Sequence, residues 1–114
     1  MIKVLLFKKG ESIIGVEIKG HADFDEYGKD IVCSAVSVLS QTALNGLMKY
    51  STEKVKYRID EKSGLLSFTV PNTKDEIEKI RYETIMETMK IGLLSIADSY
   101  KAYVKLEEKD YDKD

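Results

Sequence analysis

Residues 30–50, DIVCSAVSVLSQTALNGLMKY, decide the fold of this 114-residue chain. Apolar side chains recur there at intervals of three and four residues, which is the spacing that gathers them on one side of an α-helix. The stripe consists of Val32, Val36, Leu39, Ala43 and Leu47, with Leu44 and Met48 beside it. The stretch therefore predicts a helix whose apolar side faces a core.

The segments on either side of this helix alternate as β-strands do. Residues 1–20 contain two β-branched, apolar runs around KKGES, and residues 55–70 contain two alternating runs around DEKSG. Apolar runs separated by such turn residues are typical of β-hairpins. Gly64 supplies the second turn with a residue that tolerates positive φ. We therefore expect one hairpin before the helix and one after it.

A second helix is predicted after Pro71, the only proline, which ends the fourth strand. Thr73 is expected to cap this helix, with Glu76 reaching back to it in a capping box. Apolar residues follow at helical spacing, namely Ile77, Ile80, Met86, Met89, Leu93, Ile96, Ala97, Tyr100 and Val104. The second helix is thus expected to be long.

The predicted architecture is α+β, with two layers in the order ββαββα. It comprises a mostly antiparallel four-stranded sheet and two helices that cover it. Residues 1–106 are expected to form a single domain, and residues 107–114 an acidic tail that frays into solvent.

Composition and charge argue against nucleic-acid binding, a membrane span and a disulfide-bonded fold. The chain has a mass of 13.0 kDa and a formal net charge of -2, which disfavours direct binding of nucleic acid by the surface as a whole. Its uninterrupted apolar runs are far shorter than the roughly 20 residues of a membrane span, and its N-terminus lacks the layout of a signal peptide. A single cysteine permits no internal disulfide and suits a reducing compartment. We expect a soluble cytoplasmic protein.

Residues 20–30 show neither period, although connections are usually about four to six residues long. Asp30 is placed as the N-cap of the first helix, so that Cys33, the only cysteine, lies in its first turn. Unpaired N–H groups and the helix dipole favour a thiolate there, and the amides of Cys33 and Ser34 are candidate donors to an oxyanion. The helix start therefore has features that acyl transfer requires.

Two further residues can take part in such chemistry. His21, the only histidine, can remove the proton of the sulfur and return one to a leaving amine if the strand end brings the two together. Ser37 follows Cys33 by one helical turn on the same side. A lone cysteine on an apolar helix is nevertheless more often an inert buried residue, and a lone histidine more often a surface or capping residue. The residues alone leave both interpretations open.

A metal site is poorly supported. The acidic residues after His21 are spaced two apart like those of an EF-hand loop, but Tyr27 occupies its fifth position and Ser34 its twelfth, where a bidentate Glu is needed. One histidine and one cysteine would leave most of a zinc shell to carboxylates. We expect neither a metal nor a cofactor.

The sequence resembles the bacterial ribosomal-processing cysteine protease Prp family. The similarity covers essentially the whole chain and is sharpest in GHA, residues 20–22, and GKDIVCSAVS, residues 28–37. It implies a cytoplasmic, homodimeric endopeptidase that removes a short N-terminal extension from the precursor of a large-subunit ribosomal protein. With it, catalytic roles for His21 and Cys33 become the favoured interpretation.

The resemblance also implies roles for individual residues. Cys33 is the nucleophile and His21 the base and acid, while Asp30 and Ser37 support them. Ser34 stands where the family often has alanine, and a small polar residue there leaves its amide available. The expected substrate-binding loop consists of Gly20, Ala22, Asp23, Phe24, Asp25, Glu26, Tyr27 and Gly28.

The acidic residues of this loop agree with such a substrate on separate grounds. They outnumber its basic residues, so they would attract the basic N-terminal region of a ribosomal protein and raise the affinity of His21 for a proton. The alternative hypothesis is a non-enzymatic α+β module that binds a ribosomal protein or RNA, for which Cys33 would be dispensable.

Overall fold

A five-stranded sheet forms one layer of the molecule and two helices form the other. The computed structural model describes residues 1–20 and 29–111. Along the chain the elements are β1 (Ile2–Lys9), β2 (Ser12–Lys19), α1 (Lys29–Tyr50), β3 (Tyr57–Asp60), β4 (Leu65–Thr69), α2 (Glu76–Ser99) and β5 (Val104–Asp110). The strand order across the sheet is β3-β4-β2-β1-β5. The α+β class and the first six elements are as predicted.

The two hairpins form the antiparallel part of the sheet. β1 pairs with β2 from Lys3↔Lys19 to Lys9↔Ser12, and β4 pairs with both β2 and β3. Gly10 and Gly64 lie in the two hairpin turns with φ of 63° and 67°, a conformation that glycine adopts without steric cost. The predicted role of Gly64 is therefore confirmed.

α1 packs with the apolar side that its sequence predicts. Val32, Val36, Leu44 and Leu47 are buried in one core with the apolar side chains of β1, β2 and β4, whereas Met48 is exposed. Residues Ile31–Tyr50 are long and apolar enough to cross a membrane by length and composition. The core helix of a domain passes the same test, and α1 is packed as one.

β5 corrects the predicted sheet, which had only four strands. Val104, which was expected on the second helix, begins β5, and residues 107–110, which were expected to fray, pair in parallel with residues 5–8 of β1. Lys90 and Lys8 lie 3.0 and 3.5 Å from the carboxylate of Glu108, which fastens β5 to α2 and β1. The hydrogen bond between Lys90 and Glu108 raises the pKa of the lysine and lowers that of the glutamate.

α2 begins two residues later than a cap at Thr73 would require. Asp75 is its N-cap, and the carboxylate accepts hydrogen bonds from the N–H groups of Ile77 and Glu78 at 2.8 and 3.2 Å. The Thr73 hydroxyl instead accepts from the N–H of Asp75. The predicted capping box is therefore wrong, because the carboxylate closer to the helix meets its free N–H groups.

The side of α2 that faces the core is as predicted at Met86, Met89 and Leu93, but it differs from the prediction in the first turns of the helix. Ile77 and Ile80 are 63% and 61% exposed. The buried positions are Glu78, Tyr82, Met86, Met89 and Leu93. In these first turns the carboxylate of Glu78 and the phenol of Tyr82 face inward, and Ile77 and Ile80 face outward.

Hydrogen bonds explain why Glu78 faces inward. Its Oε2 accepts from the hydroxyl and the N–H of Thr52, at 2.7 and 3.2 Å, and its Oε1 accepts from the Tyr82 hydroxyl at 2.9 Å. The bonds from Thr52 and then Tyr82 lower the pKa of Glu78 to about 2. Because Thr52 lies two residues after the end of α1, this network fixes the segment between α1 and β3 against α2.

Candidate active site

The start of α1 positions Cys33. Since α1 begins at Lys29, Asp30 is its second residue and not its N-cap, and Cys33 is its fifth. In an α-helix with that start, the N–H groups of Cys33 and Ser34 donate to carbonyls four residues earlier, and the free donors end at Ile31. This corrects the expectation that the amides of Cys33 and Ser34 are unpaired.

Cys33 opens onto a cleft of about 290 Å³ between α1 and the β3–β4 hairpin. The thiol is free and half-buried, and it packs against the core. Ile59 and Leu66 contribute apolar surface to the opposite wall, and Asp60 and Glu61 place carboxylates at the hairpin. The cleft thus joins the cysteine to a wall that is partly apolar and partly acidic.

Ser37 lines the same cleft as Cys33, one turn further along α1. Its hydroxyl oxygen accepts a hydrogen bond of 2.8 Å from the side-chain amide of Gln41, which also lines the cleft. Sequence reasoning missed Gln41, although its position two turns after Cys33 was a signal. Ser34, by contrast, is exposed on another side of the helix.

Gly20 directly follows β2, lines the cleft and has a φ of 112°. A Cβ at this residue would collide with the carbonyl oxygen of Met1 and lie 3.3 Å from the Cα of Ile2. Both are backbone atoms at the start of β1 or directly before it, so they cannot rotate away as a side chain could. Only glycine fits at the residue before His21.

Several predicted site residues fall outside the described part of the chain. They are His21 and the loop residues Ala22, Asp23, Phe24, Asp25, Glu26, Tyr27 and Gly28. Within residues 1–20 and 29–111, no group of three or more His, Cys, Asp or Glu side chains could hold a metal ion.

Comparison with known proteins identifies the family. The model of the family described as cysteine protease Prp matches residues 1–105. The chain belongs to the cysteine protease Prp family. The Prp resemblance of the sequence is therefore confirmed, and the chain is a cysteine protease and not the non-enzymatic module of the alternative hypothesis.

Similar proteins extend this result. A ribosomal processing cysteine protease Prp of Bacillus subtilis (strain 168) is 29% identical over 91 residues, which is 80% of this chain and 81% of the relative. A crystal structure of an essential ribosomal processing protease Prp from S. aureus with a substrate peptide superposes with a TM-score of 0.80 at 24% identity, over 96% of this chain and 100% of that one. Another, with a covalently linked product peptide, has a TM-score of 0.79 at 26% identity and the same coverage. The Prp fold of these structures is that of the present chain.

Proposed function

We propose that the chain is an endopeptidase in which Cys33 is the nucleophile and His21 the base and acid, and that it removes the N-terminal extension of a large-subunit ribosomal protein. One observation carries the proposal. A member of a cysteine protease family needs a cysteine nucleophile, and this chain has a single cysteine, which opens onto a cleft. The single cysteine and its place at the cleft thus support Cys33 as the nucleophile.

The pairing with His21 is supported by the backbone that precedes it. Gly20, the residue directly before the histidine, lines the same cleft as Cys33. In the reaction His21 takes the proton of the sulfur, which attacks the scissile carbonyl carbon, and the protonated imidazole then protonates the leaving amine. Water, deprotonated by the same imidazole, hydrolyses the thioester and restores the thiol.

Asp30 and Ser37 have supporting roles in this proposal. Ser37 shares the cleft with Cys33, so its hydroxyl is available beside the reacting sulfur. Asp30 is assigned by the family motif to orienting the loop or His21. The oxyanion is assigned to free N–H groups at the start of α1, since those of Cys33 and Ser34 lie within the helical ladder.

The substrate class rests on the relatives and on the cleft. The relatives are named as ribosomal processing proteases, and the S. aureus enzyme binds substrate and product peptides. The Asp60 and Glu61 carboxylates beside the cleft favour a peptide with basic residues, which ribosomal proteins carry. We propose that the chain acts on this substrate in the cytoplasm.

The active form is proposed to be a homodimer. Ile77, Ile80 and Ile91 are each more than 60% exposed on α2, and such apolar surface is suited to burial at an interface. Light scattering coupled to size-exclusion chromatography should give twice the chain mass of 13.0 kDa, and a single chain mass at micromolar concentration would contradict the assembly.

Replacing the sulfur tests the proposal. Cys33→Ala should abolish cleavage of the precursor protein. Cleavage is measured by mass spectrometry, which also maps the position of the cut. The circular dichroism spectrum and the melting temperature of the variant should remain close to those of the wild type. Ser34→Ala is the matched control, because it changes the next residue on the exposed side of α1. Wild-type cleavage by the Cys33→Ala variant would remove the proposed nucleophile.

His21→Ala should likewise stop cleavage while leaving the thiol in place. The same variant should react with iodoacetamide more slowly than wild type near pH 7, because no imidazole is then present to take the proton of the sulfur. Equal alkylation rates in the two proteins would argue against the pairing.

A further inference from the structure

Cys33, Ser37 and Gln41 form a line of three side chains along one side of α1. They are four residues apart, and all three face the cleft. Because an α-helix rises 1.5 Å per residue, successive members of the line are separated by about 6 Å along the helix axis. The line is therefore about 12 Å long and begins at the sulfur.

The hydrogen bond between Gln41 and Ser37 leaves binding capacity unused. The amide of Gln41 donates one of its two hydrogens to Ser37 Oγ at 2.8 Å, and the side chain is exposed to the cleft. A primary amide has two donors and one acceptor oxygen, so a donor and an acceptor remain for a ligand. This pair matches the N–H and C=O of a peptide group.

The spacing of the line matches an extended peptide. Main-chain groups on one edge of a β-strand repeat every two residues, which is a distance of about 6.6 Å. Four residues of α1 span about 6 Å along the helix axis. Over two repeats the two periods differ by only about 1 Å. A peptide with its scissile carbonyl at Cys33 would therefore present the next equivalent groups to Ser37 and then to Gln41.

We propose that Gln41 binds the main chain of the peptide substrate about four residues from the scissile bond, with the substrate extended along α1. The inference rests on the proposed function, since it takes Cys33 as the reacting residue. Ser37 holds the Gln41 amide in the orientation that the substrate meets. Because the Gln41 amide binds the main chain of the substrate, this contact does not depend on which side chain the substrate carries at that position.

A simpler role for Gln41 gives a different expectation. A Gln that bonds to a residue four positions earlier stabilises a helix slightly, whatever lies in the cleft. In that case its replacement would affect all substrates alike. Substrate length thus distinguishes the two roles.

The experiment measures binding in the inactive Cys33→Ala protein, so that no cleavage intervenes. The probes are fluorescein-labelled peptides copied from the precursor around the cut mapped by mass spectrometry. One carries six residues on each side of the cut, and two others are shortened to two residues on one side or the other. The variants are Gln41→Leu and Asn45→Leu, the second being an exposed amide one turn further along α1 and outside the cleft lining.

Gln41→Leu should raise the Kd of the long peptide roughly fivefold, the change expected for the loss of a neutral hydrogen bond. Gln41→Leu should not change the Kd of the shortened peptide that no longer reaches residue 41. Asn45→Leu should not change the Kd of any of the three peptides. An ester in place of the peptide bond four residues from the cut should reduce the effect of Gln41→Leu.

Two results overturn the inference, and they are separable from failure of the proposed function. If Gln41→Leu changes the three Kd values by the same factor, or changes none, Gln41 does not bind the main chain at that distance. If the Cys33→Ala protein with Gln41 intact binds none of the peptides, the substrate assignment fails with it. Melting temperatures of both variants close to that of the parent show that the fold is kept.

Discussion

Gly20→Ala should lower both the stability of the fold and the rate of cleavage. Gly20 has a backbone conformation that other residues rarely adopt, and it lies close to the backbone at the start of β1. A side chain at its φ of 112° costs about 1–3 kcal/mol. The added Cβ would also collide with the carbonyl oxygen of Met1, so the end of β2 must move away from β1, at a cost of about 1–3 kcal/mol for overpacking. The expected loss is about 2–6 kcal/mol from a total stability of about 5–15 kcal/mol.

The assays are urea or thermal unfolding and cleavage of the precursor. A domain of this size loses about 4 °C in melting temperature per kcal/mol, so a shift of roughly 8–24 °C is expected. At a temperature where the variant is still folded, its cleavage rate should fall about 100-fold. That is the order of effect expected when a catalytic group is displaced by about 1 Å, and Gly20 leads directly into His21.

Gly10→Ala is the matched control. Gly10 also has positive φ, 63°, but a Cβ there would meet no atom within 4 Å, and the turn lies at the end of β2 opposite to Gly20. It should cost about 1–2 kcal/mol and leave cleavage unchanged. If Gly20→Ala matches Gly10→Ala in stability and cleaves like wild type, the reasoning about the entry to residue 21 is refuted.

Three further predictions concern the core, the buried carboxylate and the last strand. Leu93→Ala should cost about 3 kcal/mol in urea unfolding because Leu93 is fully buried, whereas Leu94→Ala, at an exposed position, should cost under about 1 kcal/mol; equal losses would contradict the packing of α2. The pKa of Glu78 is lowered from 4.5 to about 2, so its charged form stabilises the fold above pH 4.5 and that contribution is lost as pH falls towards 2. The stability difference between wild type and Glu78→Gln should therefore shrink over that range, and a pH-independent difference would argue against the network. Truncation after Leu106 should cost about 2 kcal/mol more than truncation after Tyr111, because it removes the pairing of residues 107–110 with β1; a frayed tail would give no difference.

The site was only partly visible in the sequence. Cys33 and Ser37 could be placed on one side of a helix from their spacing alone, and the family motif assigned their chemistry. Gln41 became visible only when the β3–β4 hairpin was seen to form the opposite wall of the cleft. The spacing of Cys33, Ser37 and Gln41 shows that they lie on one side of a helix. It does not show that this side faces a cleft.

The sequence by itself determined α1 and the two hairpins, because the helical stripe and the strand alternation are local patterns that burial imposes on neighbouring residues. Only the tertiary structure decided β5 and which side chains face inward in the first turns of α2. β5 is an edge strand whose residues are mostly exposed, so it carries no apolar alternation, and its pairing partner β1 lies at the other end of the chain. In those turns Glu78 faces inward because hydrogen bonds from Thr52 and Tyr82 satisfy a charge that a hydrophobic pattern would have placed in solvent.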